Sequence, residues 1–299
     1  MQNKKVFELQ LGDRKLEVKV GGLAEQADGC CLVRYGDTSI LCTAQMGRSN
    51  PGMGFFPLTC DYEERFYAAG KILGSRFIRR EGRPSTEAVL NSRLIDRAVR
   101  PLFPKELTNE VQVIATCLSW DAQNDPSTIG LLGASLALGM SQIPWQGPVA
   151  VVRIGYVENK FVLNPTYEER EKGALEIVLA AIEKDNEILI NMIESGADEV
   201  GEEIILGAYD FAKPFLKDIL EFQKEVLKEI AKSKAVIIKA EIDNLIVEKV
   251  KNYLSDKLED ALYENDKQKR SIALDALQEQ MLLDLASDIG EQNKELVKI

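Results

Sequence analysis

The residues best suited to chemistry in this sequence are arginines, and they are clustered. Between Glu64 and Lys105, ten basic residues stand against four acidic ones, a net charge of +6 within a chain whose net charge is −11. The arginine side chain is a planar fork of donors that holds phosphate oxygens two at a time. Such a segment in an acidic chain indicates a local phosphate-binding surface, not a general attraction to polyanions.

The absence of histidine excludes several classes of enzyme. With no histidine in the chain, no Ser-His-Asp triad, Cys-His dyad or histidine-ligated metal site is possible. General acid–base chemistry would have to use carboxylates, lysine or tyrosine. The five cysteines lack the paired spacing of a zinc site, so we expect reduced, buried thiols.

Alternating apolar residues predict the elements that position the arginines. In the first sixty residues they predict antiparallel strands, with hairpin turns at Gly12-Asp13 and Gly36-Asp37. Ser85 is suited to N-cap a helix that ends near Arg100. On that helix we predict an apolar face and a separate basic face, formed respectively by Leu90, Leu94, Ile95 and Ala98 and by Arg93, Arg97 and Arg100.

The rest of the sequence predicts an α/β (α+β) domain with a mixed sheet and packed helices, followed by an all-helical domain. Asp125-Pro126-Ser127 is typical of a helix start, and two hairpins are predicted around Glu158-Asn159 and Lys184-Asp185. From about Asp198 helix-forming residues dominate, and Pro214 is expected to kink or divide the first long helix. We therefore predict domains at residues 1–208 and 209–299.

Four motifs follow one another along the chain: Phe66-Tyr67-Ala68-Ala69-Gly70-Lys71, Phe77-Ile78-Arg79-Arg80-Glu81-Gly82-Arg83-Pro84-Ser85, Arg100-Pro101-Leu102-Phe103-Pro104 and Val162-Leu163-Asn164-Pro165-Thr166. Through these motifs residues 1–208 resemble bacterial polynucleotide phosphorylase, specifically the first of its two ribonuclease-PH-type domains. The helical remainder resembles the linker domain that follows it.

The resemblance implies phosphorolysis of single-stranded RNA. In this family inorganic phosphate attacks the 3′-terminal phosphodiester and releases nucleoside diphosphates, with Mg²⁺, in messenger RNA degradation. Three chains form a ring, and RNA passes through its pore. The resemblance also implies a cytoplasmic homotrimer that is open to degradosome partners. No run of about 18 apolar residues occurs, so no membrane span is expected.

The family's division of labour implies that catalysis lies elsewhere. Its phosphate site and metal-binding aspartates belong to the second ribonuclease-PH-type domain, which has an Asp-x-Lys strand. Here Glu176 stands in the place of the aspartate and Val178 in that of the lysine. A lone acid is poorly equipped to hold a metal. We therefore expect no catalytic and no metal-binding residue in this chain, and Mg²⁺ binding in the second domain.

The family's pore-constriction loop corresponds to Phe77, Ile78, Arg79 and Arg80. A second aromatic residue is usual where Ile78 stands. We predict RNA contacts from Phe77, Arg79, Arg80, Arg83 and Arg93. The alternative is structural: a solvated loop with salt bridges to Glu81 and Glu87, and a core position for Phe77. For Arg97 and Arg100 we favour structural pairing with Asp96 or with carboxylates of a neighbouring strand.

Three functions remain open from the sequence. The first is the N-terminal part of a phosphate-dependent 3′-to-5′ exoribonuclease that supplies RNA binding and trimer contacts but is inactive alone. The second is a stand-alone, non-catalytic RNA-binding or assembly module. The third is a self-sufficient enzyme of the ribonuclease PH type, which would need a complete phosphate and metal site within these 299 residues.

Overall fold

A computed structural model describes residues 4–49, 55–72, 74, 82–237 and 244–289. The chain divides into two compact units, unit 1 at Met1–Ile237 and unit 2 at Ile238–Ile299. Each unit has its own cluster of buried apolar side chains.

The larger sheet of unit 1 has six strands. In sheet order they run β1-β2-β3-β4-β6-β5. Neighbouring strands are antiparallel except β5 and β6, which are parallel. The two predicted N-terminal hairpins are confirmed, and Gly12 and Gly36 take the left-handed conformation that such turns require, with φ of 61° and 62°. The strands are β1 Lys5–Leu11, β2 Arg14–Val20, β3 Gly29–Tyr35, β4 Thr38–Ser49, β5 Leu58–Glu63 and β6 Asn109–Ser119.

The smaller sheet is antiparallel throughout. It has four strands in the order β10-β9-β7-β8. Both predicted hairpins are present, although the second turn is centred one residue later than predicted, on Asp185 and Asn186, where φ is 53° and 63°. The strands are β7 Ala150–Val157, β8 Lys160–Leu163, β9 Leu175–Lys184 and β10 Glu187–Ala197.

Helix α1, Thr86–Val99, begins where the sequence predicts. The Ser85 hydroxyl accepts a hydrogen bond from the Ala88 N–H at 3.0 Å, which caps the helix N-terminus. Leu94, Ile95 and Ala98 are buried, as expected. The prediction for Leu90 was wrong: it is 51% exposed, and Val99 completes the buried face instead.

Helix α2, Pro126–Met140, lies against the larger sheet and is almost entirely buried. Glycines and alanines along α2 let it approach strands β3 and β4 closely. Its C-terminus is capped by Lys234, whose Nζ donates to the carbonyls of Leu138, Gly139 and Ser141 at 2.8–3.0 Å. A cation at this end of a helix also complements the helix dipole.

The long helix α4, Glu202–Ile230, belongs to unit 1. It packs on strands β7 and β9 and continues through Pro214 without being divided there. Gln223 is fully buried on its inner face and bonds to the Ser135 hydroxyl and the Val149 carbonyl. This packing explains why the compact units separate after Ile237 and not after residue 208. A short helix, α3 at Tyr167–Lys172, was not predicted.

Within unit 2 the described residues form helices α5 to α8. Ile246, Met281 and Ile289 make its buried cluster. The helices are α5 Asn244–Leu254, α6 Leu258–Leu262, α7 Lys267–Asp284 and α8 Ala286–Ile289.

Candidate nucleic-acid interface

Three of the five predicted RNA-binding residues, Phe77, Arg79 and Arg80, lie outside the described residues. Their assignment stays a prediction. Arg83 and Arg93 are described, and both are exposed in unit 1.

Arg83 lies on the segment that leads into helix α1. It lines a cleft together with Lys71, which follows the 3₁₀ turn Phe66–Ala69. Within the described part of the chain, neither the Arg83 guanidinium nor the Lys71 ammonium makes an ion pair. Both cations are thus available to a phosphate group.

The arginines of α1 differ in their partners. Arg97 donates to the Glu194 carboxylate at 3.1 Å and to the Ile193 carbonyl at 3.0 Å, both on strand β10. Arg100 pairs with Asp96 and donates to the Leu58 carbonyl at 3.1 Å. The structural interpretation of these two residues is therefore confirmed.

Arg93 lies on the same helix and is exposed. It borders a shallow surface pocket with the start of strand β5. Among the residues that the structure describes, no carboxylate pairs with it. Arg93 thus differs from Arg97 and Arg100 in having a guanidinium free to bind a ligand, while its contact with RNA remains a prediction.

A compact ionic cluster surrounds Glu176, the acid that stands where the family's metal-binding aspartate is found. Arg153 pairs with Glu176 and with Asp125, the latter at 3.0 Å. Arg170 reaches the same two acids, Glu176 at 2.7 Å and Asp125 at 2.6 Å. Two arginines thus neutralise two carboxylates, and Val178 beside them is 1% exposed.

Burial and charge act in opposite directions on this cluster. Burial alone would raise the pKa of Asp125, but the Arg153 charge and hydrogen bonds from Ser127 hold that pKa below its ordinary value. Burial lowers the pKa of Arg153, and the Asp125 charge opposes the shift. The cluster therefore stays ionised through internal pairing.

The donor set around Glu176 does not fit a magnesium ion. Mg²⁺ binds through carboxylate oxygens and retained waters, whereas both carboxylates here already accept bonds from guanidinium groups. No group of three or more acidic or cysteine side chains suited to a metal occurs in the described ranges.

The sequence predicts only part of this cluster. It assigned Asp125 to a helix start, and Asp125 does cap α2 by accepting the Ser127 N–H at 2.7 Å. It did not identify Arg153 or Arg170 as partners. The available signal was Arg153 itself, because a charge within the apolar strand β7 requires a buried partner.

The cysteines are unsuited to nucleophilic chemistry. All five are free thiols, and Cys31, Cys42 and Cys117 are buried. Burial raises the pKa of the Cys30 and Cys117 thiols to about 11. At neutral pH these thiols are protonated, and the thiolate is the reactive form. None of the described helices is long and apolar enough to cross a bilayer.

Comparison with known proteins gives consistent matches. Residues 12–144 match the 3′ exoribonuclease family, domain 1, and residues 147–213 match domain 2 of the same family. A polyribonucleotide nucleotidyltransferase of Lysinibacillus sphaericus is 43% identical over 94% of this chain and 39% of its own length. That of Staphylococcus saprophyticus is 42% identical over 99% of this chain and 42% of its own length.

The chain thus spans about two fifths of the length of these curated relatives. A solved structure of rice Rrp46 aligns with a TM-score of 0.59 at 12% identity, covering 73% of this chain and 96% of that one. At that identity the likeness concerns the fold alone.

Proposed function

Because this chain belongs to the phosphorolytic 3′ exoribonuclease family of the polyribonucleotide nucleotidyltransferase type, we propose that it is the N-terminal part of such an enzyme. The whole protein would release nucleoside diphosphates from the 3′ end of single-stranded RNA, with inorganic phosphate as the attacking group, during messenger RNA degradation in the cytoplasm. Relatives that share about 42% identity over nearly the whole chain support this proposal.

We propose further that this part binds RNA and does not catalyse its cleavage. The observation that carries this step is the pairing of Glu176 with Arg153 and Arg170. A metal-assisted reaction needs free carboxylates to position the ion, and a phosphate substrate needs unpaired cations beside it. Both requirements are better met in a second ribonuclease-PH-type domain, where we place Mg²⁺ and the catalytic groups.

The role of this part would be to grip the RNA backbone and to assemble the ring. Arg83 and Arg93 are exposed cations without a described acidic partner, in a chain whose net charge is otherwise negative. Together with Phe77, Arg79 and Arg80 they would line the pore of a homotrimer. Backbone contacts of this kind do not depend on RNA sequence. Helices α5 to α8 of unit 2 would form the family's linker domain, and degradosome proteins are proposed partners of the whole assembly.

The test is a phosphorolysis assay on the purified chain. Radiolabelled single-stranded RNA, Mg²⁺ and phosphate are supplied, and nucleoside diphosphates are separated and counted. The proposal expects salt-sensitive RNA binding without diphosphate release. Phosphate-dependent release would contradict it and favour a self-sufficient enzyme of the ribonuclease PH type. Absence of RNA binding would remove the proposed role of the arginines.

A further inference from the structure

Unit 1 contains a cleft of about 710 Å³ that is separate in its lining from the ionic cluster around Glu176. Aromatic side chains form much of its wall. Trp120 and Tyr167 meet edge to face with ring centroids 5.9 Å apart, and Phe66 is 42% exposed at the cleft. Exposed aromatic surface in a concave site favours a planar ligand.

The charged residues of the cleft leave a net positive charge free. Glu63 pairs with Arg65 and accepts a hydrogen bond from the Thr116 hydroxyl at 3.2 Å. Glu64 accepts from the Ser85 hydroxyl at 2.7 Å. Lys71 and Arg83, which also line the cleft, have no such partner among the described side chains. The Ser85 hydroxyl does not neutralise Glu64, so three cations and two carboxylates leave the lining with a net charge of +1. A ligand with one negative charge would balance it.

From these features we propose that the cleft binds a nucleotide. The base would stack on Phe66 and the Trp120–Tyr167 pair, and Lys71 and Arg83 would hold the phosphate. This inference deepens the proposed RNA binding and rests on it. The same chemistry is offered by a residue of single-stranded RNA and by a free nucleoside diphosphate.

Trp120 supplies the readout. The chain has two tryptophans, and Trp145 is 6% exposed with its Nε1 donating to the Val99 carbonyl at 3.0 Å. A base that stacks in the cleft would quench the fluorescence of Trp120 and leave that of Trp145 unchanged.

Two titrations test this. In the first, binding of fluorescein-labelled oligoadenylate is measured by fluorescence anisotropy. In the second, tryptophan emission is measured while unlabelled oligoadenylate or ADP is added. In Trp120→Phe the quenching signal should disappear.

Phe66 and Tyr67 provide a matched pair of variants. Both are exposed aromatic residues of one 3₁₀ turn, but only Phe66 lines the cleft. Stacking of one base contributes about 1–3 kcal/mol. Phe66→Ala should therefore lower the affinity for the ligand that quenches Trp120 about tenfold, while Tyr67→Ala should leave that affinity unchanged.

The outcomes separate this inference from the proposed function. Quenching by oligoadenylate that is sensitive to Phe66→Ala supports both. Quenching by ADP with the same sensitivity, but no RNA binding by anisotropy, supports the cleft with a free nucleotide as its ligand and contradicts the RNA-binding role. RNA binding by anisotropy with no quenching by either ligand overturns the cleft and leaves the RNA-binding role intact. Equal quenching in wild type and Phe66→Ala also overturns it.

Discussion

Arg153 is a charged residue in a strand of apolar ones, and its guanidinium is balanced by Asp125 and Glu176. Removing one member of a buried pair leaves an uncompensated charge and costs about 3–5 kcal/mol. Arg153→Met should therefore lower the free energy of unfolding by about that amount in urea denaturation. Arg34→Met, which breaks an exposed pair with Asp37, should cost less than about 1 kcal/mol. Similar small losses in both variants would show that the cluster is not a stabilising unit.

Asp121 makes the protein sensitive to acid. Burial opposes ionisation, but hydrogen bonds from Asn124, Gln123 and the Asp37 N–H lower the pKa of Asp121 to about 2. The pKa of an aspartate in an unfolded chain is about 3.9. The contribution of Asp121 to stability is thus complete above about pH 4 and is lost as the pH falls toward 2. Urea midpoints measured across this range should fall less steeply in Asp121→Asn, and parallel profiles for the two proteins would contradict the assignment.

The exposed arginines should contribute to binding of single-stranded RNA equally for every RNA sequence, because they contact phosphates. Replacing Arg83 with alanine removes one phosphate contact, so the slope of log affinity against log salt should fall by about 1. The Arg79→Ala/Arg80→Ala double variant should have a larger effect of the same kind in the intact protein. Arg97→Ala is the matched control, because its guanidinium is already held by Glu194. Filter binding at several salt concentrations measures the slopes, and equal slopes in all variants would remove the proposed RNA surface.

At the scale of elements, close packing of helix α2 on the larger sheet depends on glycine. A Cβ on Gly29 of strand β3 would stand 2.0 Å from the Ala137 carbonyl oxygen, and that backbone atom cannot move aside cheaply. Overpacking typically costs about 1–3 kcal/mol, and backbone clashes cost more. Gly29→Ala should lower the urea midpoint accordingly. Gly196→Ala on strand β10, where a Cβ would meet nothing within 4 Å, should not. Equal stability of the two variants would contradict the clash.

The sequence predicts elements where a local pattern decides them. The hairpins at Gly12 and Gly36 follow from the turn residues, and α1 follows from its Ser85 cap. Helix α3 was missed although Thr166 and Glu169 form a reciprocal capping box, a signal the sequence contains. Leu90 was misplaced because helical periodicity does not specify which edge of an apolar face meets the sheet.

Long-range pairing could not be predicted. The split into two sheets, and the parallel pairing of β5 with β6, depend on contacts between distant segments. The Arg153 cluster joins residues from strand β7, helix α3, strand β9 and the start of α2. No spacing along the chain predicts that arrangement. The family resemblance points to Glu176, and the structure shows that Arg153 and Arg170 are its partners.

At the scale of the whole molecule, the position of the division between units has a direct test. Helix α4 buries Leu216, Ile219, Leu220 and Val226 in the core of unit 1, and each buried aliphatic side chain contributes about 1.5–3 kcal/mol. A fragment of residues 1–237 keeps this helix and the Lys234 contacts with α2. A fragment of residues 1–208 removes all but the first turns of α4 and exposes the strands that it covers.

We therefore expect residues 1–237 to unfold cooperatively in urea and to bind single-stranded RNA with the affinity and salt dependence of the whole chain, because the exposed arginines and the aromatic cleft belong to unit 1. Residues 1–208 should be aggregation-prone or lack a cooperative transition. The net stability of a domain is only about 5–15 kcal/mol, and the loss of these four buried side chains of α4, at about 1.5–3 kcal/mol each, removes a comparable amount. A stable, RNA-binding 1–208 fragment would instead show that α4 belongs functionally with the helices that follow it. Circular dichroism melts and anisotropy titrations of the two fragments decide between these outcomes.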